Sequence, residues 1–397
     1  MNAQSVDQKP TVKRETKNKI RVDFDRTPLK DRLKAKFLSS YFLVKAIYWI
    51  FRIVLMVGIS YVVLFPLIAK VAGSVMAPED FVDVTVLLIP KHFTVDIYRA
   101  IINELGYWEA FVNTFTLSFS TALIQTFICC LIGYGFAKFK FRGRGLVFAL
   151  VMLTMIIPHQ TLELSMAMQF RYFDIFGIVR LLKGGGIELF GWNVTELGEG
   201  VAEFFGKLDI LPDEIKFGKY IKENGAVGHR VDIEITQAGM NLLDTYVPMI
   251  LLSLTGLAFK NGLYIFLLRQ FFRGIPDELE ESAYMDGSGT FRTFIQIILP
   301  LSIPMMMTVF MFAFCWQWTD DFYTNFLFPS SDMNLLSKMV AIPDSLELEA
   351  GHAAKGLYET AIRDTCGLMI IFPVVLLYAL VGQKFLVQGI EHSGIAN

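Results

Sequence analysis

Apolar runs long enough to cross a bilayer recur along the chain after residue 45, separated by polar segments of very unequal length. A spanning helix needs about 20 predominantly apolar residues. Six stretches meet that length: 46–72, 111–137, 146–168, 246–272, 298–319 and 366–386. The third is interrupted by Pro158-His159-Gln160, and the first contains Pro66, which is expected to bend it. Arg52 lies near the start of the first run and can extend its charge to the headgroups. The pattern predicts an all-α polytopic membrane protein with six transmembrane helices, which puts both termini on one side.

The polar segments choose the side. Residues 1–45 carry a basic excess that includes Lys13, Arg14, Lys17, Lys19, Arg21, Lys34 and Lys36. We expect 1–30 to be largely disordered and 31–45 to form an interfacial helix. The loop closing the second run reads Lys138-Phe-Lys140-Phe-Arg142-Gly-Arg144, four cations without an anion. Short basic loops stay in the cytoplasm, so both termini, this loop and the loop between the fourth and fifth runs are assigned there. Segments 73–110, 169–245 and 320–365 then face outward.

Segment 179–245 is too long for a connection, since loops beyond about 15 residues are usually functional or structured. Residues 211–223 read as a short helix. Val231-Asp-Ile233-Glu-Ile235 alternates as a half-buried strand does. An inserted extracytoplasmic α+β subdomain and an irregular excursion both fit. The domain division is therefore 1–45 basic segment, 46–72 first helix, 73–110 outer loop, 111–178 second and third helices, 179–245 insert, 246–390 remaining helices with a coupling loop at 274–298, and 391–397 tail.

Composition supports the membrane assignment. Hydrophobic residues make up 54% of the chain and charged residues 19%, below the roughly 25% usual in soluble proteins. Cys129, Cys130, Cys315 and Cys366 lie in or beside apolar runs without metal-type spacing, and are expected to be small buried hydrophobes. The first 46 residues hold no early apolar core, so no signal peptide is expected. The five histidines are scattered, and Gly184-Gly185-Gly186 lacks the Lys-Ser or Lys-Thr of a phosphate loop. No catalytic residue, metal site, cofactor or nucleic-acid partner is expected; contact with membrane lipid is.

One loop departs from the basic pattern. Pro276 precedes Asp277, Glu278, Glu280 and Glu281, which crowd a helix start where the macrodipole favours negative charge. Gly287 and Gly289 are placed to end that helix. Phe291, Phe294, Ile295 and Ile298 then give the apolar stripe of a second helix leading to Pro300. The loop reads as a short helix, a glycine bend and a return. It is either a docking lever or a solvated acidic face.

Here the residues resemble a known family. Glu281-Ser282-Ala283, three residues, Gly287, nine residues, then Ile297-x-Leu299-Pro300 is similar to the EAA motif of importer permeases of the ATP-binding cassette superfamily. Ser282 replaces the middle Ala, small for small. Tyr264–Phe272, Asn113-Thr114, Gly133–Phe139, Ile157–Gln160, Trp318-Thr319-Asp320 and Phe385–Ile390 resemble the carbohydrate-importer, maltose-type branch. The likeness covers roughly 45–178 and 244–390; the insert departs from it.

The resemblance implies a subunit of a bacterial cytoplasmic-membrane importer. Its implied partners are a second permease subunit, two ATP-binding cassette ATPase subunits that use ATP and Mg, and an extracytoplasmic sugar-binding protein. Glu281 and Asp286 would meet ATPase cations, Ala283 would allow close approach, and Gly287 would permit the bend, with Ser282, Leu299 and Pro300 completing the motif. The tail after Gln388 either touches the ATPases or frays. A polyol or glycerol-phosphate permease and a self-sufficient secondary transporter remain alternatives. Pathway candidates are Trp316, Trp318, Asp320, Asp321 and Tyr323 near the end of the fifth run, His159 and Gln160 after Pro158, and Asn113. For the first group the alternative is an aromatic belt with polar helix ends; for His159 and Gln160 it is bonding to carbonyls freed by Pro158.

Overall fold

The computed structural model describes residues 14–15, 21–22, 40–175, 178–183, 188–189, 192–193, 212–221, 227–236, 239–258, 260–330 and 333–382. The chain divides into two compact units, residues 1–69 and 70–397. The first contains most of α1 (Ser40–Gly73), which passes Pro66 without ending. Its apolar side chains from Val44 to Val71 are exposed almost all round, which suits lipid rather than water. The expected interfacial helix at 31–45 is corrected in part, because α1 already begins at Ser40. Of residues 1–30, only Arg14–Glu15, paired antiparallel with Arg21–Val22, is among the described residues.

The second unit is built around α3 (Tyr107–Lys138). Before it, α2 (Asp96–Glu104) buries Ile97, Ala100 and Ile101 on one face. Buried α3 positions recur at helical spacing: Ala110, Asn113, Thr114, Leu117, Ser118, Thr121, Ala122, Gln125 and on to Tyr134. That inner stripe is mostly small or hydroxylated, and small residues let helix backbones approach closely. Onto α3 pack α6 (Val247–Leu254), α7 (Asn261–Gly274) and α9 (Leu299–Trp318). At Gly133 α7 comes close to α3: a Cβ there would lie 2.9 Å from Leu268 Cβ and 3.1 Å from the Arg269 amide nitrogen. The core between these helices holds Cys129, Cys130 and Tyr134 of α3, Tyr264, Leu268 and Phe272 of α7, and Val309 and Phe314 of α9. Cys366 of α11 (Lys355–Leu377) joins it, and the four cysteines are free.

Among the described residues, four helical stretches are long and apolar enough to cross a membrane: Val44–Gly73, Tyr107–Lys138, Thr290–Trp318 and Lys355–Gly382. The last begins well before the predicted 366, on a polar first turn. The pair α4 (Arg144–Ile156) and α5 (Glu163–Arg171, entered through a 3-10 turn at His159–Leu162) reaches that length and apolarity only when taken together, and is bent by 93° at the Pro158 interruption, as a broken span or a re-entrant loop is.

The fourth predicted span is corrected. Residues 246–272 form two helices, α6 and α7, instead of one. Leu257 and Ala258 both donate backbone bonds to the Leu252 carbonyl, closing α6. Gly256 and Lys260 then take left-handed φ values of +74° and +68°. The α9 stretch has its own irregularity, a π turn at Phe294–Ile298 between a short helix at Thr290–Thr293 and Leu299.

The insert is also corrected. Residues Glu214–Ile221 form a strand (β1) instead of a helix, paired antiparallel with β2 (Val227–Thr236), which pairs with β3 (Gly239–Asn241). Glu214-Ile-Lys-Phe alternates just as the β2 sequence does, so a two-residue period wins over helix-compatible composition. Ile233 and Ile235 are buried while Asp232 and Glu234 face away. They pack with Phe170, Leu242, Tyr246 and Phe328 at the α3 N-terminal end. The tail 383–397 lies outside the described residues.

Gly133→Ala should push α7 off α3. A loss of about 1–3 kcal/mol is expected for such overpacking, read as a lower thermal midpoint of the purified protein in detergent. Gly58→Ala, where a Cβ meets nothing within 4 Å, should leave the midpoint unchanged.

Candidate functional site

The acidic segment folds as α8 (Glu278–Met285). Its C-terminus closes by a pair of backbone bonds, Gly287 N to Tyr284 O and Ser288 N to Ala283 O, each 3.0 Å, with Gly287 at φ +81°. This Schellman closure needs a left-handed residue after the cap, which glycine supplies without strain. Gly289 does something other than predicted: at φ −76° and ψ 161° it is extended and precedes the next helical turn.

Two faces of α8 differ. Inward, Ala283 is 5% exposed. This corrects its expected role, since its small size lets α8 approach its own chain and leaves no surface for a partner. Glu280 points the same way and meets Lys138 at the end of α3, Nζ to Oε1 3.2 Å, with both side chains under a tenth exposed. Oε1 has no aligned hydrogen bond, so the contact is an ion pair. Tyr134 donates its hydroxyl to Glu280 Oε2 at 3.3 Å and rests on Phe294, ring centroids 4.7 Å apart. Lys138 also donates to the Ile275 carbonyl at 2.8 Å and to Asp277 at 2.6 Å. That hydrogen bond and charge hold the exposed Asp277 carboxyl below the usual carboxylate range. Outward, Glu281, Ser282, Tyr284, Met285, Asp286 and Gly287 are exposed, Met285 at 87%. Leu299 is half-buried and Pro300 exposed, in the first turn of α9. The result is a rigidly held helix presenting two carboxylates beside two large apolar side chains.

A second set of predicted residues gathers around the helix breaks. Trp316 and Tyr323 line a recess together with Gln125, Tyr264, Gln317 and Asp320. His159, at the bend of the α4–α5 pair, sits with Nδ1 3.0 Å from the Tyr323 hydroxyl. Asp320 accepts the Thr324 amide at 3.1 Å at the start of α10 (Phe322–Leu327). Burial pushes its carboxyl up to about 6, opposed by the amide bonds of Thr324 and Tyr323. Gln160 and Asp321 are exposed and line no part of the recess.

Two pathway candidates hold structural positions instead. Trp318 is buried, donates Nε1 to the Ile370 carbonyl at 2.8 Å, and packs on Phe111 and Phe314. Asn113 is buried, donating to the Asn334 carbonyl at 3.0 Å while its own carbonyl accepts Tyr246 at 3.2 Å. The alternation of α9 separates Trp316 from Trp318, which two-residue spacing on a helix places on different faces. Sequence reasoning missed Lys138 and Lys260. The signal for Lys260 is a cation midway along the apolar run 246–272, which also holds Arg269 near its end; the signal for Lys138, an acidic partner more than a hundred residues away, is not local.

These features coincide with a known family. The Binding-protein-dependent transport system inner membrane component family matches residues 130–383, and the chain belongs to it. The chain is 25% identical over 301 residues to the alpha-glucoside transport system permease protein AglG of Rhizobium meliloti, covering 76% of this chain but only 60% of that one. It is 24% identical over 341 residues to the arabinooligosaccharides transport system permease protein AraQ of Bacillus subtilis, covering 85% of this chain and 92% of that one. Its fold is similar to that of a chain in the crystal structure of a bacterial ABC transporter involved in the import of the acidic polysaccharide alginate. The TM-score is 0.54 at 17% identity, over 91% of this chain and all of that one.

Removing Lys138 should release α8. Lys138→Met strands Glu280 without its cation, and a destabilisation approaching the ~3–5 kcal/mol of a broken buried pair is expected, read as a lower thermal midpoint. Lys138→Met combined with Glu280→Leu should recover most of it. A single variant as stable as the parent would show that the pair anchors nothing.

Proposed function

We propose that this chain is the transmembrane permease subunit of an ATP-driven, binding-protein-dependent importer of sugars or oligosaccharides. The observation that carries this reading is α8: an acidic helix, fixed by Lys138 and Tyr134 to the end of α3, with Glu281, Tyr284, Met285 and Asp286 left uncovered. Such a helix transmits a push to α3 instead of absorbing it. The family membership and the names of AglG and AraQ support the sugar class.

In this reading six spans cross the membrane. The broken pair α6–α7 completes the five apolar segments, and both termini lie in the cytoplasm. Two ATPase subunits, which use ATP and Mg, grip α8 and its counterpart on a second permease subunit, and their closure tilts the spans between inward- and outward-open states. The recess by Trp316 and Tyr323 lies on the solute pathway. An extracytoplasmic sugar-binding protein docks at the opposite end, where β1 leaves Phe217 74% exposed. The chain itself performs no chemistry. The alternative of a glycerol-phosphate or polyol cargo uses the same machinery and differs only at the pathway.

An ATPase subunit should co-purify with the chain, and vesicle uptake should require ATP; uptake driven by an ion gradient alone would refute the importer reading. Gly287→Val puts a β-branched residue at a left-handed position and should cut transport-coupled ATP hydrolysis about tenfold, on the order of 1.4 kcal/mol, without loss of membrane insertion. On the opposite face, Phe217→Glu should weaken the apparent affinity for the loaded binding protein by a similar factor, on the order of tenfold. Unchanged affinity would free the sheet from a docking role.

A further inference from the structure

The seam between α4 and α7 ends in three arginines. On α4, Arg144, Phe148, Val151 and Met155 recur every three or four residues and so share one face. On α7, Gly262, Arg269 and Arg273 share a face by the same spacing. The two faces meet. A Cβ at Gly262 would lie 3.1 Å from the Val151 carbonyl, and the Arg269 guanidinium carbon lies 4.1 Å from the centre of the Phe148 ring. One turn further along this antiparallel contact stand Arg144 and Arg273, close enough to repel Arg269. Like charges so gathered are unfavourable unless an anion joins them. The chain supplies none: Asp277 and Glu280 are taken by Lys138, and among the described residues none of the three arginines forms an ion pair. Arg144 donates to the Phe139 carbonyl at 3.1 Å. Arg269 is half-buried; its Nε is enclosed with no hydrogen-bond partner, and its terminal nitrogens are neither enclosed nor bonded to protein.

We propose that these arginines hold the headgroup phosphate of an anionic phospholipid, whose chains lie along α4. Guanidinium forks match phosphate oxygens, and basic pockets between spanning helices on the cytoplasmic side take anionic headgroups. The cluster lies where the basic loop Lys138–Arg144 enters α4, which is the cytoplasmic headgroup level in the orientation proposed above. Stacking on Phe148 holds the Arg269 fork in place before a lipid arrives. Beside the arginines the wall is apolar: Leu146 is 69% exposed, Val147 and Leu150 are exposed as well, and no residue of α4 is buried. A free phosphate would meet the charges but leave that wall uncovered; a phospholipid meets both. The inference concerns the lipid side of the chain and goes beyond the importer reading, whatever the cargo.

The test uses the full chain, purified in a neutral detergent and titrated with phosphatidylglycerol, phosphatidylcholine or inorganic phosphate. Bound lipid is counted by native mass spectrometry and the thermal midpoint is followed alongside. One phosphatidylglycerol should stay bound and raise the midpoint. Phosphatidylcholine, with the same phosphate and chains but a compensating cation, and inorganic phosphate should do neither. Arg144→Gln and Arg273→Gln, both outside the buried core, should each weaken phosphatidylglycerol binding about tenfold, the scale of one charge-assisted hydrogen bond, with the lipid-free midpoint close to the parent's. Arg269→Lys keeps the charge without the fork and should retain part of the binding. Arg142→Gln removes an exposed cation of the same loop that lies off the seam, and should bind as the parent does. Equal binding of the two lipids, or an equal loss in Arg142→Gln, leaves only diffuse surface charge and overturns the site. Stabilisation by inorganic phosphate as strong as that by phosphatidylglycerol keeps the anion and overturns the lipid. Full lipid binding by the arginine variants, with loss of a co-purifying ATPase, gives the cluster to an acidic protein surface and overturns the proposal as well. Each of these outcomes leaves the importer reading standing.

Discussion

The close packing of α7 on α3 at Gly133 is the constraint from which both ends of the large unit follow. With no Cβ at 133, Leu268 and the Arg269 backbone come within van der Waals distance of α3, and the two helices share one core. Near the α3 C-terminus this brings Phe272 and the chain leaving α7 to Tyr134 and Lys138, so that α8 emerges beside a waiting cation. Toward the middle it sets Tyr264 and the start of α7 against Gln125 and Trp316. The acidic helix and the recess are therefore both placed by one close contact between the same pair of helices.

A second close approach complements the first. At Gly262 a Cβ would lie 2.7 Å from Met155 Cγ and 3.1 Å from the Val151 carbonyl, so α7 also lies tight against α4, with Arg269 over the Phe148 ring at 4.1 Å. The two broken segments, α4–α5 and α6–α7, thus lean on each other near their breaks. Broken helices leave backbone groups that need partners in an apolar medium, and at the α6–α7 break the Leu252 carbonyl is taken up by the Leu257 and Ala258 amides.

Much of this was legible in the chain. Apolar length marked the long helices, Pro158 marked the 93° bend, and glycine after an acidic run marked the end of α8. Other features were not. The α6–α7 break falls in Leu-Thr-Gly-Leu-Ala-Phe-Lys, which holds no proline and stays apolar, so hydropathy passes straight over it. β1 mixes Glu, Lys and Ile, a composition that suits a helix, and only the two-residue period reveals the strand. Ala283 was read as a partner-facing residue because its motif is; that it faces inward depends on Lys138, brought close by the fold alone. Trp318 and Asn113 carry the side chains of a sugar site, yet their hydrogen bonds go to backbone carbonyls.

The π turn at Phe294–Ile298 reaches further along α9 than its five residues suggest. A π turn is in effect one residue inserted into an α-helix, and each residue turns the helix by about 100°. The azimuth of everything downstream, including which tryptophan faces the recess and which enters the core, is thus phased some twenty residues earlier, beside α8. A lineage that lost that residue would keep the same composition and hydropathy along α9 but rotate its inner wall, exchanging the chemistry that a passing solute meets.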